Sequence, residues 1–284
     1  MPGAHNPTVR GRRLARELHD LRLRANLMPA DVGKRLGWSQ QKIMRIEKAL
    51  SKLSPHDLNE LLDLYGVSSP QREALLQLSK DAWKRGWWTA YRDIFSGTFL
   101  SLEDEATRIR SWEPQLVPGL LQTPDYARSV TKAIRGEDTP ELDRRVAARM
   151  ARRAILSRPH APALSLVVDE GALRRLHGGG QVMRAQLESL LVDSKRPNID
   201  LRVIAFSAGS HPGLDGSCTI LSFDPEIYSD IAYIESSGGD LYLEGEPEVE
   251  QARLQFNRLF DLALSPESTQ ELLSQLIKEV SLEL

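Results

Sequence analysis

The sequence is poor in cysteine and has no long apolar run. Cys218 is the single cysteine among 284 residues, which excludes a disulfide framework, a cysteine-rich zinc module and a cysteine-ligated iron–sulfur cluster within one chain. No apolar run approaches the ~18 residues that a membrane span requires, and the basic stretch 1–16 lacks the apolar segment of a signal peptide. These absences predict a cytoplasmic protein with no membrane partner, no metal and no cofactor.

Aromatic residues are also few, at 6% of the chain. Hydrophobic residues make up 41% and charged residues 27%, and this balance is typical of folded chains and not of disordered ones. At a prior of ~150 residues per domain, the length predicts about two domains with sizeable cores.

The formal net charge of −2 conceals an asymmetry. Residues 1–60 hold twelve basic and six acidic side chains, whereas residues 201–284 hold four basic and fifteen acidic ones. A basic first part on an acidic remainder indicates a polyanionic partner for the first part alone. The alternative is a solvated charged face with no partner.

Periodicity and capping residues predict five helices in the first 80 residues. Apolar residues recur there at steps of three and four, and Ser or Pro stands where helices would begin. Gly37 and Gly66 are placed to end the second and fourth helices. The predicted helices cover residues 9–25, 30–36 and 40–48, then run from Pro55 to Gly66 and from Pro70 through Leu78. They form an all-α N-terminal domain over residues 1–79.

The segment from Ala30 to Glu47 has the pattern of a helix-turn-helix. Gly33 is small where the two helices approach each other, and Gly37 permits the tight turn between them. The apolar side chains that would join the two helices are Val32, Leu36, Ile43 and Ile46.

The outer face of the second helix of this segment is polar. A helix that enters a major groove about 12 Å wide must be narrow and polar on that face. Glutamine can bind adenine N6 and N7, and arginine can bind guanine O6 and N7. We therefore predict base contacts with double-stranded DNA from Gln40, Gln41, Lys42 and Arg45. The alternative is a helical packing module that binds no DNA.

Residues 9–78, and SQQKIMRIE in particular, resemble the phage-repressor-like (XRE, Cro/C1-type) helix-turn-helix domain. The resemblance implies that Gln40 and Gln41 are the first base readers, and that Arg22 and Glu47 form a structural ion pair. Pro29 stands where the family usually has a phosphate-binding glutamine, so phosphate contacts, which position without specifying sequence, must come from elsewhere. Our candidates for these contacts are Arg12, Arg13, Arg16, Ser39, Lys48 and Lys52.

A helical connector is predicted over residues 80–111, followed by a mixed α/β domain over residues 112–284. The aromatic residues of the connector favour an interdomain or dimer core, with a ligand cage as the alternative; they are Trp83, Trp87, Trp88, Tyr91, Phe95 and Phe99. Strand patterns in the second domain cover residues 163–168, 199–205, 218–223, 231–235 and 240–243. The whole chain is therefore predicted to be α+β, an all-α five-helix domain plus a mixed α/β domain.

Residues 112–128, WEPQLVPGLLQTPDYAR, resemble the C-terminal domain of WhiJ-like actinobacterial regulators. The stretches 86–88 and 263–266 are similar too, so the resemblance covers nearly all of the chain. It implies a transcription regulator controlled, in an antitoxin-like arrangement, by a small partner protein encoded by an adjacent gene. Within this signature, residues 118–123 are predicted to form a turn plus a helix cap, with the lip of a binding groove as the alternative.

Other residues that suggest chemistry have simpler explanations. The run 178–180 is predicted to be a flexible loop, because it lacks the preceding strand and Lys-Ser/Thr pair of a phosphate loop. His211 has no partner at metal-ligand spacing, Cys218 has no motif around it, and the pair 169–170 is expected to cap a helix. The acidic residues of 240–250 are expected to be solvated, or alternatively to receive a basic partner or the DNA-binding domain.

Together these features predict a sequence-specific, nucleoid-associated transcription regulator, in particular a repressor. Major-groove readers usually bind two half-sites one helical turn apart, which predicts a homodimer joined through the connector or the C-terminal domain. One alternative is a ligand-sensing regulator with a small-molecule pocket in its C-terminal domain. Another is an enzyme fused to a DNA-binding domain, which we do not expect because no nucleophile–base spacing, metal cluster or cofactor loop occurs there.

Overall fold

The computed structural model describes residues 8–82, 98–136, 140–224, 229–236 and 239–282. The chain forms two compact units, the first ending at Glu105 and the second beginning at Ala106. Five aromatic residues of the predicted connector core lie outside the described residues, namely Trp83, Trp87, Trp88, Tyr91 and Phe95.

The described residues of the first unit form six short helices, which are the five that the sequence predicts and a sixth within the predicted connector. These helices are α1 (Val9–Arg24), α2 (Pro29–Leu36), α3 (Gln40–Glu47), α4 (Pro55–Leu64), α5 (Gln71–Asp81) and α6 (Thr98–Glu105). Hydroxyl caps set three of the starts, because Thr8, Ser39 and Ser54 each accept a hydrogen bond from a backbone N–H in the first turn. The core below them consists of aliphatic side chains from α1 to α5, among them Leu18, Val32, Ile43, Leu58 and Leu62.

The described part of the second unit is a six-stranded mixed sheet covered by helices. The strands are β1 (Arg108–Glu113), β2 (Ala163–Asp169), β3 (Ile199–Ile204), β4 (Cys218–Ser222), β5 (Ile231–Ile234) and β6 (Leu241–Leu243). Their order is β3-β2-β1-β4-β5-β6, in which β1, β2 and β3 are parallel and β4, β5 and β6 pair antiparallel. The predicted α+β class is confirmed.

Within its described residues, six α-helices and three short 3-10 helices complete the second unit. The α-helices are α7 (Pro124–Arg135), α8 (Pro140–Arg153), α9 (Glu170–Arg174), α10 (Gly180–Asp193), α11 (Glu246–Leu262) and α12 (Pro266–Leu282). The 3-10 helices are Gly119–Leu121, Ala154–Ser157 and Phe206–Ala208. Of the helices within the described ranges, none has the length and apolarity needed to span a bilayer.

Strand β1 is the main correction to the sequence analysis, which assigned residues 108–111 to a helical connector. The strand was missed because Arg108 and Arg110 interrupt the apolar pattern. Arg110 is tolerated inside the sheet because its guanidinium hydrogen-bonds Ser222 Oγ at 3.3 Å and lies 3.8 Å from Asp230 Oδ2. Tertiary partners therefore decide this strand, and local propensity does not.

At Val203 the outer edge of β3 is paired with the segment that joins α11 to α12 and with α12 itself. Leu264 N donates to Val203 O at 2.9 Å, and Val203 N donates to Thr269 Oγ1 at 3.3 Å. This pairing gives residues 263–266 a structural role, because an open strand edge would expose unpaired backbone groups.

Candidate nucleic-acid interface

The turn between α2 and α3 depends on two glycines. A Cβ at Gly33 would lie 2.6 Å from Trp38 O, so a side chain there would force α2 away from the turn. Gly37 has φ 70° and ends α2 in the left-handed region. Val32, Ile43 and Ile46 are buried between the helices. The segment therefore has the helix-turn-helix geometry that its sequence predicts.

The close approach at Gly33 yields a testable expectation. Gly33→Ala should destabilise the first unit by about 1–3 kcal/mol, as added methyl groups do in tightly packed sites, and should weaken DNA binding by displacing α3. Gly37→Ala is the matched control, because a Cβ there meets nothing within 4 Å and costs only the left-handed backbone conformation, about 1–2 kcal/mol. Thermal melting and DNA titration of both variants check this. Equal DNA affinities for the two would contradict it.

One face of α3 is open to solvent. Ile43 and Ile46 point into the core, and at about 100° per residue the opposite face is centred near Gln41. The exposed residues on or beside this face are Gln40, Gln41, Met44, Arg45 and Lys48. Met44, with 42% of its surface exposed, was missed by the sequence analysis because an apolar residue in a helix suggests core.

Arg45 is exposed but held at the end of α3. Its Nε donates to Ser51 Oγ at 3.1 Å, and its Nη2 donates to Leu50 O at 3.2 Å. Both acceptors lie in the turn that follows α3, so the guanidinium stays on the open face beside Gln41. None of the described residues forms a hydrogen bond with the side-chain amide of Gln40 or Gln41.

Lys42 is placed differently from the other three predicted base readers. Its Nζ lies 3.4 Å from the centre of the Trp38 ring and 3.2 Å from Asp57 Oδ2 in the first turn of α4. A surface ion pair contributes about 0.2–1 kcal/mol and an exposed cation–π contact about 0.5–1 kcal/mol. These contacts hold the amino group beside Trp38 and α4, away from the open face, whereas the contacts of Arg45 leave its guanidinium on that face. The structure thus brings Gln40, Gln41 and Arg45 to one face and leaves Lys42 on its flank.

Arg22 and Glu47 join α1 to the end of α3. Arg22, 4% exposed, donates to both carboxylate oxygens of Glu47, at 2.6 and 2.9 Å, and to Leu27 O at 2.8 Å. His19 Nδ1 lies 2.9 Å from Glu47 Oε2. Burial raises the pKa of Glu47, but the hydrogen bonds and charges of Arg22 and His19 outweigh it and hold that pKa below its ordinary value.

The predicted phosphate contacts differ in exposure. Ser39 caps α3 by accepting from Lys42 N at 3.1 Å, and it is exposed at the end of the helix that would face DNA. Lys48 and Lys52 are exposed after α3, as is Arg16 on α1. Arg12 and Arg13 are half-buried on α1, with Arg13 Nε 3.9 Å from Glu17 Oε1.

The signature of residues 112–128 forms a buried hydrogen-bonded frame in the second unit. Gln122 Nε2 donates to Val117 O at 2.8 Å, and Val117 N donates to Tyr126 Oη at 3.1 Å. Gln186 of α10 donates to Leu121 O at 2.9 Å and accepts from Thr123 N at 2.7 Å. Thr123 caps α7, so these residues form the predicted turn plus helix cap.

The last two residues of β1 are Trp112 and Glu113. Trp112 is buried, and its Nε1 donates to Gly213 O at 2.9 Å. Burial raises the pKa of Glu113 to about 7, although Ser111 Oγ lies 3.1 Å from its carboxylate and can donate to it.

Asp169, Cys218 and His211 of this unit were also named in the sequence analysis, and their contacts are as follows. Asp169 Oδ1 accepts from Gly171 N at 2.7 Å and so caps α9, as predicted. Burial raises the pKa of the Cys218 thiol to about 11. His211 Nε2 lies 3.8 Å from Asp169 Oδ2, a proximity that sequence spacing did not reveal. No group of three or more His, Cys, Asp or Glu suited to a metal ion occurs among the described residues.

Comparison with known families finds two matches. Residues 13–75 match the model of a helix-turn-helix domain, and with the exposed face of α3 this match defines a DNA-binding regulator. Residues 96–275 match a domain of unknown function, DUF5753, and because this match covers more than half of the chain, the protein belongs to that family. No curated protein and no solved structure matches the chain significantly.

Proposed function

We propose that this protein is a sequence-specific transcription repressor that places α3 in the major groove of DNA. The observation that carries the proposal is the shared exposure of Gln40, Gln41 and Arg45 on one face of α3. Amide and guanidinium groups on such a helix match the hydrogen-bonding edges of adenine and guanine. The place of action that follows is the cytoplasm, on the nucleoid.

We further propose that the protein binds DNA as a homodimer and that its second unit binds a regulator and catalyses no reaction. Paired half-sites one helical turn apart are the usual targets of this helix-turn-helix geometry. The regulator we propose is a small protein encoded by an adjacent gene, in an antitoxin-like arrangement. Support comes from the resemblance in sequence of residues 112–128 to the signature of WhiJ-like regulators.

The test is selection of bound sequences from random DNA at fixed salt, with and without the product of the adjacent gene. Salt must be held constant because phosphate contacts make affinity strongly salt-dependent. A palindromic preferred site supports the dimer, and a changed affinity in the presence of the small protein supports the proposed control. Absence of any preferred sequence would refute sequence-specific binding.

Arg45→Ala should cost about 1–3 kcal/mol of binding free energy against the cognate base and should relax preference at that position alone. The matched control is Lys52→Ala, which should weaken binding to all sequences alike and reduce the dependence of affinity on salt. Titration of the selected site and its single-base variants measures both effects. Unchanged affinity and base preference for Arg45→Ala would show that the assigned orientation of α3 is wrong.

A further inference from the structure

We infer that Met44 is a specificity residue that contacts the C5-methyl group of a thymine, and that Lys42 does not read bases. The inference rests on the proposed function, since it assigns one more contact to the same DNA-facing helix. In the set of predicted base readers, Met44 thereby takes the place of Lys42, and Gln40, Gln41 and Arg45 remain.

The position of Met44 on α3 carries the first step. Met44 follows Gln40 by four residues and Gln41 by three, and it precedes Lys48 by four. Residues at these spacings are neighbours on one helix face, with Cβ atoms about 5–6 Å apart. Because 42% of Met44 is exposed on this face, a duplex that contacts Gln41 also lies against Met44.

The chemistry of the side chain carries the second step. Methionine offers no hydrogen-bond donor and gains most from apolar contact. Among the base edges of the major groove, the apolar group is the C5-methyl of thymine. A thymine beside the base pair read by Gln40 or Gln41 therefore provides the surface that fits Met44, and burying both groups removes apolar area from water.

The contacts of Lys42 carry the third step. Its amino group lies over the Trp38 ring and beside Asp57, so the side chain runs along the flank of α3 towards α4. A reach into the groove would break both contacts at once. Lys42 thus stabilises the packing of α3 against α4 and leaves the exposed face to the other residues.

The experiment compares thymine with deoxyuridine, which lacks the methyl group but pairs identically. Each thymine of the selected site is replaced in turn, and binding is titrated for the full-length protein. For the unaltered protein we expect one thymine in each half-site at which removal of the methyl weakens binding about fourfold. Met44→Ala should bind both forms of that site equally, and Met44→Leu should restore the preference for thymine.

Lys42→Ala is the matched control, and selection with this variant should return the same preferred sequence. Circular dichroism confirms folding, which substitutions at Met44 should preserve because Ile43 and Ile46 are untouched. The inference is overturned if no thymine shows a methyl effect that Met44→Ala abolishes, or if Lys42→Ala alone changes the preferred sequence. If the unaltered protein shows no sequence preference, the proposed function itself is refuted. This measurement is made before any variant is tested.

Discussion

Glu47→Ala is expected to lower the free energy of unfolding of the first unit by about 3–5 kcal/mol, the usual cost of removing one partner from a buried ion pair. The cost is large because Arg22 is 4% exposed and two of its nitrogens donate to this carboxylate. Without Glu47 the guanidinium keeps its bond to Leu27 O but loses its counter-charge. The same loss should loosen the end of α3 relative to α1.

Hydrogen exchange measured residue by residue tests this effect, with the second unit as the internal reference. Amides of α3 and α4 should lose protection in Glu47→Ala, whereas those of β2 and β3 in the second unit should not change. The control is the double variant Arg22→Met with Glu47→Leu, in which neither charge remains, and most of the protection should return. Normal protection in Glu47→Ala, combined with lost DNA binding, would contradict a structural role for the pair.

The same pair predicts how stability depends on pH. Because the folded pKa of Glu47 lies below its ordinary value of 4.5, ionised Glu47 stabilises the first unit above pH 4.5, and this contribution is lost as pH falls through the folded pKa. Glu47→Gln lacks the titrating group. Between pH 6 and pH 3, roughly the span of carboxyl titration, its free energy of unfolding should therefore change less than that of the unaltered protein. Parallel acid titrations of unaltered and Glu47→Gln protein that coincide would refute this assignment.

Local signals in the sequence account for most of the first unit and less of the second. Serine caps and glycine stops are short-range features, so α2, α3 and α4 begin and end close to their predicted bounds. Strand β1 was missed because two arginines interrupt its apolar pattern, and Arg110 becomes acceptable only through Ser222 and Asp230, more than a hundred residues away. Such partners leave no local pattern.

The same distinction applies to the candidate DNA interface. Helical periodicity alone separates Gln41 from Ile43 and Ile46, so the open face of α3 could be predicted. The position of Lys42 could not, since Trp38 and Asp57 draw it aside through side-chain packing. Met44 was not predicted to lie on this face, because an apolar residue in a helix is assigned to the core unless the fold shows it exposed.

Trp112→Ala is expected to destabilise the second unit by about 3–5 kcal/mol, the range for deleting a large buried aromatic side chain. Trp112 is 1% exposed and packs with Val167, Ile204 and Phe256 in the core between the sheet and α11. The substitution also leaves Gly213 O without its donor, since Trp112 Nε1 binds it at 2.9 Å. Hydrogen exchange should show protection lost across β2 and β3, with the first unit unchanged.

Gly213→Ala provides an independent test of the same contact from the opposite side. A Cβ at Gly213 would lie 2.4 Å from Trp112 Nε1 and 2.5 Å from Cε2, both in a rigid ring. Because the methyl group can be admitted only if the buried ring or the loop shifts, we expect a loss of about 1–3 kcal/mol. If the two residues act through one contact, Gly213→Ala should cost much less in a Trp112→Ala background than alone. Additive costs would show that the loop and the tryptophan stabilise the unit separately.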